Sequence, residues 1–316
     1  MTASLERSTF PVMGTVCALA VTAAESEHTK AQLALVAAWT ELRACERILS
    51  RFDSSSQLSE LNRADGAWMD VDERLFDALA RAVRLRKETD GLFDPTILPA
   101  LMAQGYDRSF ELLEERAPYA HNWVPGATIE LDPAEHRVRI ERGAAVDLGG
   151  IGKGFAAGRA LEAMRKVWPE LPGALVDLGG DIAVTGVPPE RGPWLIAVES
   201  AWSPATSLGT VRLSSGGIAT SGPARRRFGP AGAHHHIIDP ATGESAERGP
   251  LTVTVIAQDP SEADAHATAL AISDDADEYV SARPGLGALV VGGLEPPRVL
   301  GVVDFVPRPI SFEVIQ

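Results

Sequence analysis

The stretch Val146-Asp-Leu-Gly-Gly-Ile-Gly-Lys-Gly-Phe155 decides how the rest of the chain is interpreted. It contains four glycines within six residues and leads into a helical pattern over 156–167. Glycine lets the backbone approach a ligand closely, and a helix N-terminus offers free N–H groups to an anion. Lys153 adds a full positive charge there. The stretch therefore suits a phosphate, with a plain tight connection as the alternative, and it matches neither familiar nucleotide fingerprint.

Composition limits the classes of function. The 316 residues include 43 acidic and 29 basic side chains, for a net charge of −14. This balance argues against a surface for nucleic acid or for an anionic membrane. Cys17 and Cys45 make no disulfide framework, which suits a reducing compartment, and both lie in apolar patterns that predict burial.

The N-terminal residues lack a basic segment followed by an apolar one, the pattern of an export signal. No apolar run approaches the roughly 18–20 residues of a membrane helix. We therefore expect a cytoplasmic protein without a membrane anchor.

Helical patterns dominate the first half of the chain and short strands the second, which predicts an α+β fold. We expect one compact domain over residues 1–316, with its core at about 10–315. The expected elements include a strand over 10–22, a helix over 26–49 with Leu35, Trp39 and Leu42 on one face, and a second helix capped by Asp72. A hairpin over 128–140, a strand over 235–239, a helix over 261–272 and a last strand over 311–315 follow.

The segment Ser261-Glu-Ala-Asp-Ala-His-Ala-Thr268 offers two hard oxygen ligands. Asp264 and Thr268 are four residues apart and share one face of a helix. A carboxylate and a hydroxyl one turn apart suit Mg²⁺, with substrate phosphate and water completing its shell. Alternatively, Ser261 and Asp264 form a capping box, and Thr268 bonds back to a helix carbonyl.

The run His234-His-His-Ile-Ile-Asp239 leaves three interpretations open. On a strand, His234 and His236 would share a face and could bind zinc, although no nearby third ligand completes a set. A single histidine could act as an acid or base near a phosphate. The side chains could also simply face water. Arg225, Arg226 and Arg227 could likewise clamp a phosphate or form a solvated patch.

Eight short motifs in a fixed order resemble the ApbE family of FAD:protein FMN transferases, over about residues 10–275. They are Met13-Gly-Thr15, Ser50-Arg-Phe52 with Ser56-x-Leu-Ser-x-Leu-Asn62, Gly91-x-Phe-Asp-Pro-Thr96, Asp147-Leu-Gly-Gly-Ile-Gly-Lys-Gly154, Gly179-Gly-Asp181, Ala219-Thr-Ser-Gly222, His236-Ile-Ile-Asp-Pro-x-Thr-Gly243 and Ala263-Asp-Ala-x-Ala-Thr268.

The resemblance implies a T-fold-related domain with mixed or antiparallel sheets and flanking helices. It implies that FAD, the substrate, is cleaved to AMP while FMN is joined by a phosphoester to a threonine of a target protein. FAD hydrolysis to FMN and AMP, or flavin binding without turnover, are the alternatives. The acceptor threonine belongs to a partner protein, and no nucleic acid is implied.

The resemblance also implies roles for individual residues. His236 and Asp264 match the catalytic positions, and Phe52 stands where relatives often have tyrosine. The implied Mg²⁺ ligands are Gly152, Asp264, Ala267 and Thr268. The implied FAD contacts are Met13, Phe52, Leu92, Phe93, Asp94, Gly149, Lys153, Phe155 and Ile238.

Overall fold

The computed structural model describes residues 3–113, 119, 123–200, 206–223, 227–247, 249–293 and 296–308. The helices are α1 His28–Leu49, α2 Gln57–Arg63, α3 Glu73–Glu88, α4 Leu98–Gln104, α5 Gly152–Val167, α6 Pro260–Leu270 and α7 Ala276–Ser281. The strands are β1 Ala3–Val12, β2 Thr15–Ala24, β3 Met69–Asp70, β4 Ile129–Asp132, β5 Arg137–Ile140, β6 Gly173–Leu178, β7 Ile182–Gly186, β8 Trp194–Glu199, β9 Ser207–Leu213, β10 Gly216–Ser221, β11 Arg227–Phe228, β12 His234–His235, β13 Ile238–Asp239, β14 Glu244–Ser245, β15 Thr252–Ala257, β16 Gly287–Val291, β17 Arg298–Gly301 and β18 Phe305–Pro307.

An eight-stranded antiparallel sheet forms the middle layer of the molecule, in the order β1-β2-β6-β7-β10-β15-β16-β17. Both of its faces are covered, so β15 is buried at all of its positions. Val253 and Val255 join the core on one face, and Ile256 joins the core on the other. This two-residue alternation is the periodicity of a strand. The α+β class and the antiparallel sheets expected from the sequence are confirmed.

Helices α1, α5 and α6 cover one face of this sheet. Alanines dominate their contacts, and Ala157, Ala160, Ala263 and Ala267 are fully buried. Small side chains let helix backbones approach closely, which brings the first turn of α5 against the first turn of α6. A Cβ atom added at Gly154 would lie 2.2 Å from the carbonyl oxygen of Pro260. Only glycine therefore fits at this position.

A three-stranded sheet, ordered β18-β9-β8, covers part of the opposite face. Trp194, Ile196 and Val198 alternate inward along β8 and pack in a second hydrophobic core with residues of the large sheet such as Val184 and Leu289. The second core packs β8 against the face of the large sheet, and among the described strands β8 pairs with β9 alone.

The strand expected over 10–22 is confirmed for residues 15–22, which lie in β2, but residues 10–12 end a separate strand, β1, and the two ten-residue strands form a hairpin. Met13 and Gly14 make the two-residue connection, with φ of 52° and 67°. Positive φ at both central residues matches the twist of the flanking strands. Glu46 on α1 accepts a 2.6 Å hydrogen bond from the Met13 N–H, which holds the turn against the helix.

Trp39 does not belong to the buried face of α1, since it is 45% exposed. Successive helical residues are rotated by about 100°, so Trp39 lies about 80° from the mean direction of Ala38, Leu42 and Leu49. Small residues, Ala31, Ala34, Ala38 and Cys45, complete the buried face instead. The apolar pattern placed the helix correctly but counted one exposed aromatic as core.

Several local predictions are confirmed. Asp72 caps α3 by accepting a hydrogen bond from the Arg74 N–H at 2.9 Å, and β4 and β5 form the hairpin expected over 128–140. Cys17 and Cys45 are buried free thiols, and burial raises the pKa of each to about 12. The strand expected over 311–315 and the side chains of Arg225 and Arg226 lie outside the described residues. No helix in the described ranges is long and apolar enough to span a bilayer.

The contact between α5 and α6 predicts opposite effects for two glycine substitutions in one helix. Gly154→Ala should lower the free energy of unfolding by about 1–3 kcal/mol, because its Cβ collides with the backbone of Pro260. Gly158→Ala is the matched control, since its Cβ would lie 3.8 Å from the nearest atom and alanine favours helix by up to about 1 kcal/mol. Urea unfolding measures both, and equal effects would contradict the packing described.

His266 on α6 predicts a loss of stability in mild acid. Its Nδ1 lies 2.7 Å from the Tyr279 hydroxyl, and burial lowers its pKa to about 4. In the unfolded chain this imidazole binds a proton near pH 6.5, whereas in the folded protein it does so only near pH 4. The free energy of unfolding is therefore unaffected by His266 above pH 6.5 and decreases as the pH falls toward 4, by at most about 3 kcal/mol. Urea unfolding of wild type and His266→Asn at pH 7 and pH 4.5 measures it. The variant should lose less stability on acidification, and an identical loss in both proteins would refute the assignment.

Candidate functional site

A cavity of about 330 Å³ lies where the β1–β2 turn, the C-terminal end of α1, the glycine stretch and α6 meet. Its lining joins residues far apart in the sequence, and all but two of the predicted site residues belong to it. Those in the lining are Met13, Phe52, Leu92, Phe93, Asp94, Gly149, Gly152, Lys153, His236, Ile238, Asp264 and Thr268.

Phe155 and Ala267 are the two predicted residues outside the lining. Both are buried in the core between the helices and the large sheet. The guanidinium groups of Arg81 and Arg159 lie 5.8 and 6.0 Å from the Phe155 ring centroid. The carbonyl of Ala267 accepts a hydrogen bond from the Ala271 N–H at 3.1 Å. Both residues are therefore buried where the helices pack, and neither lines the cavity.

The glycine stretch forms the first turn of α5 as well as the loop before it. The helix begins at Gly152 rather than at 156, with Ile151 at the N-cap. The side chain of Ile151 makes no capping hydrogen bond, and the Gly152 N–H donates to the Leu148 carbonyl at 2.7 Å. The preceding loop is held by Asp147, whose Oδ1 accepts a hydrogen bond from the Gly149 N–H at 2.7 Å. The loop and the helix end together form one wall of the cavity.

Asp264 is the buried carboxylate of the cavity. It is 3% exposed, and its Oδ2 accepts a hydrogen bond from the Gly154 N–H at 3.1 Å. Burial raises the pKa of Asp264, while the charge of Lys153 and the N–H of Gly154 oppose that rise. The capping box proposed for Ser261 and Asp264 is wrong, because Asp259 is the N-cap of α6 and accepts from the Ser261 N–H at 2.8 Å. Asp264 thus serves the end of a different helix.

Thr268 lies one turn further along α6 on the same side of the cavity. Its Oγ1 is 3.5 Å from the Ser221 Oγ at the end of β10. A Cβ atom added at Gly150 would lie 2.8 Å from the same Oγ1. Thr268 therefore touches the glycine loop, just as Asp264 touches the start of α5. The structure brings the carboxylate, the hydroxyl and the loop into one corner.

Lys153 points its charge into the same region and pairs with Asp181, which sits in the turn between β6 and β7. Asp181 is 3% exposed, so this ion pair is largely withdrawn from water. Asp177 precedes the same turn, and burial raises the pKa of its carboxyl. The sequence placed Asp181 in a short motif but gave it no role. Only the fold shows that it faces Lys153.

Arg51 and Tyr106 are site residues that sequence reasoning missed. The Arg51 guanidinium lies 4.1 Å from the Phe52 ring centroid and 4.7 Å from that of Tyr106. Arg51 also forms an ion pair with Asp147, and its side chain is only 5% exposed. In the sequence, only the position of Arg51 next to Phe52 in a motif indicated that it could belong to the site. Tyr106 follows α4 in irregular structure, where no periodicity marks it.

The histidine run is not one strand. β12 ends at His235 and β13 begins at Ile238, so the strict alternation expected over 235–239 is wrong. His235 is buried, its Nε2 lies 2.9 Å from the Ala246 carbonyl oxygen, and burial lowers its pKa. His236 lines the cavity. Among the described residues, no three His, Cys, Asp or Glu side chains are grouped as metal ligands.

Most of the chain is similar to known proteins of one family. The model of the ApbE family matches residues 13–290. The FAD:protein FMN transferase of Treponema pallidum is 30% identical over 280 residues, which are 82% of this chain and 76% of the relative. That of Salmonella typhimurium is 28% identical over 266 residues, 80% of this chain and 75% of the relative.

Solved structures show the same fold. The ApbE protein of Thermotoga maritima superposes with a TM-score of 0.80 at 28% identity, covering 93% of this chain and 97% of its own. The flavinyl transferase ApbE of Pseudomonas stutzeri in its apo form gives a TM-score of 0.77 at 21% identity. That match covers 95% and 96% of the two chains.

Because Arg51 and Asp147 form an ion pair, we expect that removing Arg51 destabilises the protein and that also removing the Asp147 charge restores part of the stability. Arg51→Met should lower the free energy of unfolding by about 3–5 kcal/mol, because it leaves a buried carboxylate unpaired. Adding Asp147→Asn removes that charge while an amide oxygen can still accept from Gly149. The double variant should therefore be more stable than Arg51→Met alone in urea. Additive losses would show that the two side chains do not interact.

Proposed function

The chain belongs to the ApbE family, and on that premise we propose that it is a FAD:protein FMN transferase. It would cleave FAD at the diphosphate, release AMP and attach FMN by a phosphoester to a threonine of a target protein. The observation that carries the proposal is the corner where Asp264 and Thr268 meet the glycine loop in one cavity with Lys153. A phosphate-binding loop, hard oxygen donors and a cation suit diphosphate chemistry.

The cavity offers separate environments to the two chemical parts of FAD. Its volume of about 330 Å³ falls in the range of small-molecule sites. An aromatic and apolar side suits the flavin ring, and we assign to it Met13, Phe52, Leu92, Phe93 and Ile238. The carboxylate of Asp94, which accepts hydrogen bonds from Thr96 and from the Gly126 N–H, lies beside them and is assigned to the same part of FAD. The polar side suits the phosphates, with Gly149 and Lys153 facing them. Phe52 is 44% exposed and can present a ring face to a planar ligand.

The residues present fit a magnesium ion. The carboxylate of Asp264 and the hydroxyl of Thr268 are hard oxygen donors at one corner, and we assign the carbonyl of Gly152, which also lines the cavity, to the same ion. The carbonyl of Ala267, the fourth ligand expected from the sequence, belongs to a residue outside the lining and already accepts from the Ala271 N–H. A buried carboxylate beside phosphates also calls for a cation. When bound, Mg²⁺ would neutralise negative charge on the diphosphate.

The chain's own residues account for the remaining requirements of the transfer. The ammonium group of Lys153 and the positive end of the α5 dipole place positive potential at the phosphates. The threonine oxygen forms a bond to the FMN phosphorus as the bond from that phosphorus to the AMP oxygen breaks. The imidazole of His236 takes the threonine proton, and AMP leaves. Phe93 and Leu148 are buried beside the site and exclude water from it.

Incubation with FAD and Mg²⁺, with and without an acceptor domain that carries FMN as a threonine phosphoester in its mature form, tests the proposal. Covalent flavin fluorescence on the acceptor and one AMP released per FMN attached are expected. Release of free FMN and AMP at equal rates in both mixtures would show that the protein is a FAD pyrophosphatase. Bound FAD without release of AMP would show that it is a flavin-binding protein without turnover.

Asp264→Asn should lower kcat of the transfer by on the order of 10²–10³-fold, since loss of a few kcal/mol of charge stabilisation has that effect. It should also raise the Mg²⁺ concentration needed for half-maximal rate. Asp259→Asn is the matched control on the same helix, because it lies outside the cavity lining and asparagine is an equally good N-cap. Initial rates across a Mg²⁺ series measure both. Wild-type rates for Asp264→Asn would show that Asp264 does not hold the metal ion needed for the transfer.

A further inference from the structure

A second cavity of about 470 Å³ adjoins the first. The two share four lining residues, Lys153, Thr220, Ser221 and His236. Its other walls come from the β6–β7 turn, from β8 and from the ends of β10 and β15. None of the FAD contacts assigned above lies in it except Lys153. The four shared residues include the histidine that would take the acceptor's proton, so the second cavity borders the place where the transfer would occur.

The edge of β8, rather than one of its faces, borders this cavity. Ile196, Ala197, Val198 and Glu199 all contribute to the lining. Consecutive residues of a strand point to opposite faces, so four in a row can line one space only if the strand's backbone edge faces it. β8 is also an edge strand, and among the described strands it pairs with β9 alone.

The hydrogen bonds of β9 show which groups of β8 face this edge. The Arg212 N–H donates to the Asp304 carbonyl beside β18, so the polar backbone groups of Arg212 point away from β8. Arg212 stands opposite Leu195, and Thr210 opposite Ala197, in the antiparallel register. Hydrogen-bonded and non-bonded pairs alternate along such a ladder. The N–H and C=O of Ala197 therefore point to the open edge, into the cavity.

We propose that an extended segment of the target protein, carrying the acceptor threonine, binds in the second cavity by adding as a strand to the edge of β8 at Ala197, with which no described strand pairs. This inference rests on the transferase function proposed above. Strand addition uses backbone hydrogen bonds, which any extended segment can supply. The threonine then reaches His236 from one cavity while FAD occupies the other. Phosphoryl transfer needs the entering and leaving oxygens in line, and the proposal places the acceptor and FAD in different cavities that share these lining residues.

The charge of the cavity restricts which segments fit. Asp177, Asp181 and Glu199 supply three carboxylates against the single ammonium of Lys153. A buried or half-buried acidic side chain placed among them would be repelled. The β6–β7 turn adds the backbone of Gly179 and Gly180 to the wall. The matching acceptor segment has uncharged or basic residues beside its threonine and none that is acidic.

Ala197→Pro tests the strand addition. Proline removes the N–H that faces the cavity, yet it is tolerated on an edge strand because no bond of the β8–β9 ladder is lost. With the acceptor domain used above, the KM for acceptor should rise at least about tenfold, the effect of one lost hydrogen bond and a steric clash. The KM for FAD should stay unchanged. Ala197→Val is the matched control, since it keeps the N–H and should retain the wild-type KM for acceptor.

The outcomes separate this inference from the function on which it rests. If wild type forms no covalent flavin on the acceptor, the transferase function itself fails. If wild type transfers FMN but Ala197→Pro keeps its KM for acceptor, strand addition to β8 is wrong. A rise in the KM for FAD instead would assign the second cavity to the nucleotide. Unfolding of Ala197→Pro in urea at the wild-type midpoint establishes that the comparison is between folded proteins.

Acceptor variants test the charge of the cavity independently of Ala197. Replacing the residue before the acceptor threonine by Asp should raise the KM for acceptor at least about fivefold relative to Asn, the size of a close like-charge repulsion. Glu199→Gln should reduce that ratio, because it removes one of the repelling charges. An equal preference for Asp and Asn in the wild-type enzyme would contradict an acidic acceptor site.

Discussion

The contact between the first turns of α5 and α6 is the constraint on which the rest of the structure depends. Gly154 has no side chain, so the carbonyl of Pro260 occupies the space that a Cβ would fill. At that separation the Gly154 N–H reaches the carboxylate of Asp264. The same approach brings Gly150 against Thr268. A wider spacing between the helices would separate the glycine loop from the oxygen atoms of Asp264 and Thr268, and the proposed cation site would be lost.

Buried charge is the second theme of the site. Asp264, the Lys153–Asp181 pair and the Arg51–Asp147 pair all lie largely out of water. Burial of such groups costs free energy unless each has a partner of opposite charge or good hydrogen bonds. Holding these charges in fixed positions before a ligand binds therefore lowers the free energy of unfolding. Such preorganisation is what electrostatic catalysis requires, because no solvent must then reorganise during the reaction.

Much of the fold and the membership of the site followed from the sequence, for physical reasons. Long periodic patterns predicted α1 and α3, and short motifs led to most of the cavity's lining. The failures have a common cause, which is competition from contacts distant in sequence. Asp264 fits a capping box locally, but Gly154, 110 residues away, takes its carboxylate and Asp259 caps the helix. Tyr106 had no local signal, since only the tertiary fold carries it to Arg51.

The central claim is that Asp264 and Thr268 hold a divalent cation against the diphosphate of FAD. A crystal structure of the FAD complex grown with Mn²⁺ in place of Mg²⁺, with anomalous diffraction data, tests it most directly. The account predicts one strong anomalous peak about 2.0–2.3 Å from an oxygen of Asp264 and from the Thr268 hydroxyl, next to the FAD phosphates. A peak elsewhere, or bound FAD with no peak at that corner, would contradict it.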